Sequence, residues 1–354
     1  MIDLESNFNA NSGILYICAF RVNQGGGVTL LVNLLEMHYD KKTIFFLDTR
    51  LDLSKVKYGK NVHIKLVSPS IRSRIVSELW LSKVTTSNDT ILCFANLPPL
   101  FNVKANVAVF LQNRFLIEDS KLTGFKFLVK LRIFVERIWL RSRIKNVDKF
   151  LVQTLSMKTL LSGLCNPNLI TVAPFFPSNL VYKRSLKARP NKLNSDTCFL
   201  YVASGDPHKN HVNLIYAWNL LADEGIFPQL ILTIDSHKYI KLCDFIDQNI
   251  FINKLKIKNI YNIDSVNKLY EKADVLIYPS KVESFGIPII EARSFKLPVL
   301  APELDYIRDL VDPEETFDPN SPVSISRAVK RYLGHKPHQV DLTSNIDFIN
   351  LICK

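Results

Sequence analysis

The chain has 354 residues, 47% of them hydrophobic, and 45 Lys and Arg against 33 Asp and Glu give a formal charge of +12. That apolar fraction excludes a disordered chain, and the length suits two medium domains. No run approaches the roughly 20 apolar residues a helix needs to cross a bilayer, and the N-terminus lacks the basic-then-apolar pattern of a signal peptide.

The six cysteines, Cys18, Cys93, Cys165, Cys198, Cys243 and Cys353, never stand at C-x-x-C spacing and mostly lie in apolar runs. They read as free thiols of a reducing, cytoplasmic compartment, with neither a disulfide framework nor a zinc site.

In chain order, short apolar runs alternate with helical patterns. Strands are expected over 14–20, 43–47, 63–67, 90–95, 107–111, 150–153 and 169–172, with helices over 28–37, 72–84, 125–143 and 157–164. Continuous apolar runs suit parallel strands buried on both faces, and the alternation predicts βαβ units. A Pro-, Asn- and Lys-rich stretch from Pro174 to Asp196 interrupts the rhythm, as a linker does. Strands then resume over 197–202, 230–234, 257–261, 275–278 and 298–300, with helices over 211–222, 236–249, 266–272, 287–295 and 325–332. The expected architecture is α/β. An N-terminal Rossmann-like domain (1–178) and a C-terminal one (197–354), joined by a linker (179–196), point their doubly wound parallel sheets into a shared cleft.

The segment from Ala273 to Asp309 carries the most chemistry. A buried strand ends at Pro279-Ser280, and a short loop holding Glu283, Ser284, Phe285 and Gly286 leads into a helix at Ile287. Gly286 lets backbone approach a ligand closely, and the free amides of a helix start bind a diphosphate. Carboxylates beside phosphate make sense only if they face hydroxyls. The bland alternative makes Glu283 a cap and Glu291 a solvated helix residue.

The run Glu283-Ser-Phe-Gly-Ile-Pro-Ile-Ile-Glu291 closely resembles the E-x7-E donor signature of the retaining GT-B glycosyltransferases of family 4, bacterial polysaccharide and O-antigen type. The resemblance implies that Glu283 contacts the transferred sugar and that Glu291 holds ribose hydroxyls. It also implies that Ser284 and the backbone of Phe285, Gly286 and Ile287 meet the diphosphate. A second match opens the C-terminal domain, Ser204-Gly205-Asp-Pro-His208-Lys209. It places Lys209 on the leaving diphosphate, with Ser204, Gly205 and His208 at the donor. The family usually carries Arg five residues before this Lys, where Ser204 stands here. The base reader is expected near Asn259 to Asn262.

In the N-terminal domain Gly25-Gly26-Gly27 follows the first strand, and Gly27 is the position expected to touch the ligand. Asp48 is the sole candidate ribose acid there, too weak a fingerprint for a nicotinamide dehydrogenase. Asn96, Asn113 and Arg114 end strands facing the cleft and are candidate acceptor contacts, with turn chemistry as the alternative. No D-x-D occurs, so neither a metal nor another cofactor is expected, the nucleotide-sugar being a substrate.

Between Lys121 and Lys149 lie nine Lys or Arg and two acids, more than half the chain's surplus charge. Residues 125–143 place Lys126, Lys130, Arg137 and Arg141 on one helical arc and Phe127, Leu131, Phe134 and Ile138 on the next. That pattern fits a cationic helix on an anionic membrane surface, the alternative being an ordinary domain helix with its apolar side on the sheet. The combined expectation is a transferase, peripheral on the inner face of the cell membrane. It moves a sugar from a nucleotide-diphosphate sugar to a glycan acceptor, lipid-linked in many relatives. Its rivals are a catalytically degenerate nucleotide- or glycan-binding module, favoured by Ser204, and a nucleic-acid binder, for which no aromatic-interleaved basic motif speaks.

Overall fold

A computed structural model of the protein describes residues 13–54, 56–118, 122, 124–175, 197–261 and 266–335. The first sheet contains β1 (Leu15–Ala19), β2 (Thr43–Asp48), β3 (Val62–Val67), β4 (Thr90–Cys93), β5 (Asn106–Phe110), β6 (Lys149–Val152) and β7 (Ile170–Val172). Its strand order is β3-β2-β1-β4-β5-β6-β7, parallel throughout. Helices α1 (Gly26–Glu36), α2 (Ile71–Val84), α3 (Phe127–Arg143) and α4 (Leu155–Ser162) cover it.

Burial on both faces explains the unbroken apolar runs. In β1, Tyr16 and Cys18 join a core with Leu81 of α2 and Ile133 and Leu140 of α3. The alternate residues Ile17 and Ala19 join another with Leu30 and Leu31 of α1. Period-two side chains thus feed two separate layers.

The second sheet runs β10 (Ile257–Asn259), β9 (Gln229–Leu232), β8 (Cys198–Tyr201), β11 (Val275–Ile277), β12 (Val299–Pro302) and β13 (Glu315–Phe317), again all parallel. Its helices are α5 (His211–Asp223), α6 (Ile240–Asn253), α7 (Asn267–Lys272), α8 (Ile287–Ser294), the one-turn α9 (Asp305–Arg308) and α10 (Pro322–Tyr332). The two sheets pin their registers alike. An acid just before one strand accepts the amide at the start of its neighbour: Asp89 from Ile14 (2.7 Å), Asp148 from Val107 (2.7 Å), Asp274 from Cys198 (2.9 Å) and Glu314 from Val299 (2.7 Å).

Both orders reverse direction between the first and fourth strands, β1/β4 and β8/β11. Such a point, at the strands' carboxyl ends, is where doubly wound sheets place their ligands. The expected strands all form. β13 and α9 are additional, being too short to leave a periodic signal. α6 begins at Ile240 instead of Ser236, because Asp235 accepts the amides of His237 and Lys238 and holds a turn. The expected linker 179–196 lies outside the described residues, as does Cys353.

His211, the first residue of α5, is 2% exposed and lies 4.8 Å from the Tyr201 ring, and neither ring nitrogen has a partner. Burial, then the Lys209 charge, pushes its pKa down to about 3. The fold holds it neutral, whereas the unfolded chain takes up a proton below the ordinary value near 6.5. Stability is therefore lost as pH falls from that value toward 3, by about 2 kcal/mol at pH 5. Urea denaturation at pH 7 and 5 is expected to show a smaller acid loss in His211→Phe than in the parent. Equal losses would remove His211 as the cause.

Candidate functional site

The site is built at the switch point of the second sheet, from the loops after β8 and β11. After β8 the chain makes a 3-10 turn, Pro207–Lys209, and Asn210 takes a left-handed conformation (φ 64°) that turns it into α5. The buried Asn210 amide donates to the carbonyls of Pro279 (3.1 Å) and Pro319 (2.7 Å). Tyr201 donates its hydroxyl to the Lys209 carbonyl at 2.7 Å, and the Lys281 amide donates to the His208 carbonyl at 2.9 Å. The two loops are zipped together along their backbones.

Lys209 and Glu283 meet across that seam, with Nζ 2.5 Å from Oε1 and side chains only 16% and 12% exposed. Tyr278, fully buried at the end of β11, donates its hydroxyl to the same Oε1 at 2.9 Å. Burial opposes the charge on Glu283. The Lys209 and His208 charges and the hydrogen bonds from Lys209 and Ser280 outweigh it and hold the carboxyl below its usual range. Glu283 is thus an oriented carboxylate at neutral pH. Tyr306 donates to the Ser280 carbonyl at 2.7 Å and fixes the strand end from α9.

Gly286 caps α8 at φ 73°, a backbone that other residues adopt only under strain. No side chain caps α8 and its first turn holds no acid, and the same is true of α1, whose cap is Gly25 (φ 75°). The two helix starts face one another: a Cβ on Gly26 would stand 2.8 Å from Cδ1 of Ile287. The first turns of α1 and α8 are therefore in contact through Ile287, and an uncapped helix start, with the positive end of its dipole, is suited to an anion. One turn into α8, Glu291 accepts the Tyr270 hydroxyl at 2.7 Å. Burial raises its pKa against that hydrogen bond.

The remaining expected residues are placed as follows. Ser284 offers its carbonyl to Thr154 of the first domain (3.4 Å), and Phe285 is buried. Ser204, where the resembled family has Arg, donates to Asp206 (2.7 Å), whose other oxygen accepts the Tyr239 hydroxyl (3.0 Å). Gly205 lies against the Tyr239 ring, leaving no space for a Cβ. His208 is gripped by the first domain, stacked on Phe125 (5.7 Å, 14°) with Phe115 edge-on (5.4 Å), its Nδ1 buried without a partner. Burial and the Lys209 charge lower its pKa, against Glu283 and Asp206. Gly27 lies near Gln112, while the neighbouring Gly26 makes the close approach to α8.

The three candidate acceptor residues have local partners. Asn96, itself left-handed (φ 71°), accepts the amides of Gln112 (2.6 Å) and Asn113 (2.8 Å). Asn113 accepts the Phe115 amide, and Arg114 pairs with Glu118 at 2.9 Å. Asp48 is held by Arg50. Asn259 exchanges two hydrogen bonds with the backbone of Ile234, and Asn262 lies outside the described residues. Among the described residues no three His, Cys, Asp or Glu gather as a metal site.

Sequence reasoning missed Tyr201, Tyr270, Tyr278 and Tyr306. A signal existed for Tyr278: a hydroxyl ending an otherwise aliphatic buried strand needs a hydrogen-bond partner. Which partner it takes is visible only in three dimensions.

Replacing Lys209 by Met leaves a carboxylate in a largely dry place with only neutral donors. Urea denaturation at pH 7 should show a loss of about 2–3 kcal/mol for Lys209→Met, and adding Glu283→Gln should restore part of it. No recovery in the double variant would mean the pair is not coupled.

Comparison with known proteins fits this geometry. Residues 183–347 match the family described as Glycosyl transferases group 1. The serotype-specific mannosyltransferase WbdA of Escherichia coli is 28% identical over 145 residues, 38% of this chain and 17% of that protein. The O-antigen chain mannosyltransferase B of Escherichia coli is 26% identical over 137 residues, 38% of this chain and 36% of that protein. The chain thus spans about a sixth of the first relative's length and a third of the second's. Anabaena HepE, crystallised with UDP and glucose, superposes with a TM-score of 0.63 at 14% identity, over 90% of this chain and 89% of that one. The two doubly wound sheets and these likenesses establish the architecture: the chain has the GT-B fold.

Proposed function

We propose that the protein is a retaining glycosyltransferase. In this reading it moves a sugar from a nucleotide-diphosphate sugar to a glycan acceptor in surface-polysaccharide synthesis. The observation that carries it is the Lys209–Glu283 pair, whose Glu283 stands in the loop that leads into the uncapped start of α8, with the equally uncapped start of α1 packed against Ile287. The helix amides and Lys209 take the diphosphate, with no metal needed to carry its charge. Glu283 faces the hydroxyls of the transferred sugar and Glu291 those of the ribose. The mannosyltransferase relatives and the UDP held by Anabaena HepE support a sugar-nucleotide donor.

In the reaction, the bond from the anomeric carbon to the diphosphate oxygen breaks and one to the acceptor oxygen forms on the same face. The acceptor's proton passes to the departing phosphate. Lys209 and the helix amides stabilise charge that grows on the leaving group, where fixed donors contribute most. Glu283, kept ionised, orients the sugar. A lipid-linked acceptor brings the chain to the inner face of the cell membrane as a peripheral protein. Among the described residues no helix is long and apolar enough to cross a membrane.

A thermal-shift screen against UDP-, GDP- and dTDP-sugars should raise the melting temperature by about 2–5 °C for one of them at roughly a hundredfold excess over Kd. Lys209→Ala and Glu291→Ala should each shrink that shift. With that donor and an acceptor, Glu283→Gln should lower kcat by about 10²-fold or more. Stabilisation without turnover, or donor hydrolysis unaffected by any acceptor, would favour the degenerate binding module. No shift with any sugar nucleotide in a folded sample would overturn the donor site.

A further inference from the structure

Helix α3 carries apolar side chains on its outer side as well as on the side that meets the core. Its inner side is narrow: Ile133 and Leu140 are the buried residues, and Arg137 turns inward to the carbonyls of Phe115 (2.8 Å) and Glu118 (2.6 Å). Trp139 closes one flank, its indole donating to the Pro98 carbonyl with the Arg74 guanidinium over its ring. The outer side is apolar. Phe127, Leu128 and Phe134 are 76%, 75% and 60% exposed, and Leu131, Val135 and Ile138 are exposed with them. At 100° per residue these six fall within roughly a 120° arc, centred opposite Ile133 and Leu140. Cations flank the ridge, with exposed Lys130 and Arg141 on one edge and, on the other, exposed Arg132, whose Nε lies 3.7 Å from Glu136. Glu136 is the one acid of the helix.

Water is a poor neighbour for such a surface. Contiguous exposed apolar side chains mark a contact site, and a flanking rim of cations selects what makes the contact. A lipid headgroup layer offers both halves, acyl chains for the ridge and negative charge for the rim. The geometry points to α3 as a docking face that lies in the plane of an anionic bilayer, with Phe127, Leu131, Phe134 and Ile138 inserted and Lys130, Arg132 and Arg141 at the headgroups. The purpose of this docking rests on the lipid-linked acceptor reading, while its geometry does not. Arg137 is excluded from the rim by its inward hydrogen bonds. Phe125, two residues before the helix, stacks on His208 next to Lys209, so a chain docked through α3 holds its donor loop close to the lipid surface.

The test is flotation of the full chain with vesicles, scored independently of any sugar transfer. Vesicles of phosphatidylglycerol and phosphatidylethanolamine should carry the protein, pure phosphatidylcholine should not, and added salt should release it. Phe127→Ser/Phe134→Ser should weaken binding at least about tenfold. Lys130→Gln and Arg132→Gln should each weaken it about fivefold. All these variants should keep the parent's melting temperature, because the side chains touch solvent in the fold. Failure to float with anionic vesicles, equal flotation of the Ser variant, or a parent dimer in sedimentation analysis that the Ser variant turns into monomer would each overturn the proposal. The first two leave the donor reading untouched, since that is judged by nucleotide binding, and the third assigns the ridge to a second copy of the chain.

Discussion

The ion pair between Lys209 and Glu283 is the contact on which the arrangement of the second sheet's switch point turns. Its partners come from loops that leave adjacent strands, β8 and β11, in divergent directions, so the pair spans the point where the sheet's winding reverses. Two mostly buried charges are stable there only because each loop is held rigidly. The Asn210 amide, the Tyr201 and Tyr306 hydroxyls and the His208 carbonyl supply that rigidity through backbone hydrogen bonds. Tyr278 then adds a second donor to the carboxylate oxygen that Lys209 holds. The result is an oriented charge that need not reorganise when a ligand arrives, the condition under which electrostatic catalysis is most effective.

The same constraint shapes how the two halves meet. Lys238 of the second domain bonds Gln24 in the glycine loop of the first (2.9 Å), Ser156 at the start of α4 bonds Asp309 beyond α9, and Ile287 fills the space over Gly26. These contacts bring the start of α1 to the start of α8. A single helix start is a common and weak anion site. Here two lie against each other, neither with a capping side chain nor with an acid in its first turn. Gly26 permits this approach, since any side chain there would meet Ile287.

The basic helix illustrates how charge and packing divide labour. Arg137 serves the fold by satisfying two carbonyls of the turn after β5, whereas Lys130, Arg132 and Arg141 stay at the surface beside an apolar ridge. Cations of one helix thus take different roles according to the side on which they fall. Phe125, two residues before α3, stacks on His208 and so joins the exposed ridge to the loop that carries Lys209 over a short stretch of chain.

The sequence by itself determined the α/β class, nearly all strands, and the E-x7-E and Asp-Pro-His-Lys segments, because burial on both faces forces continuous apolar runs and loop chemistry requires particular residue types. It left β13 and α9 silent, since three- and four-residue elements carry no period. It also marked Asn96 and Asn113 as candidate acceptor contacts, while their bonds to Gln112, Asn113 and Phe115 reveal work within the turn. Periodicity on α3 found the apolar stripe but not its direction, because a helix pattern records which residues share a side and not which side meets the core. Tertiary structure alone decided that the stripe faces outward, that Lys209 pairs with Glu283, and that four tyrosines serve the site. Each of these depends on residues distant in the chain meeting in space, and a linear pattern holds no record of such distances.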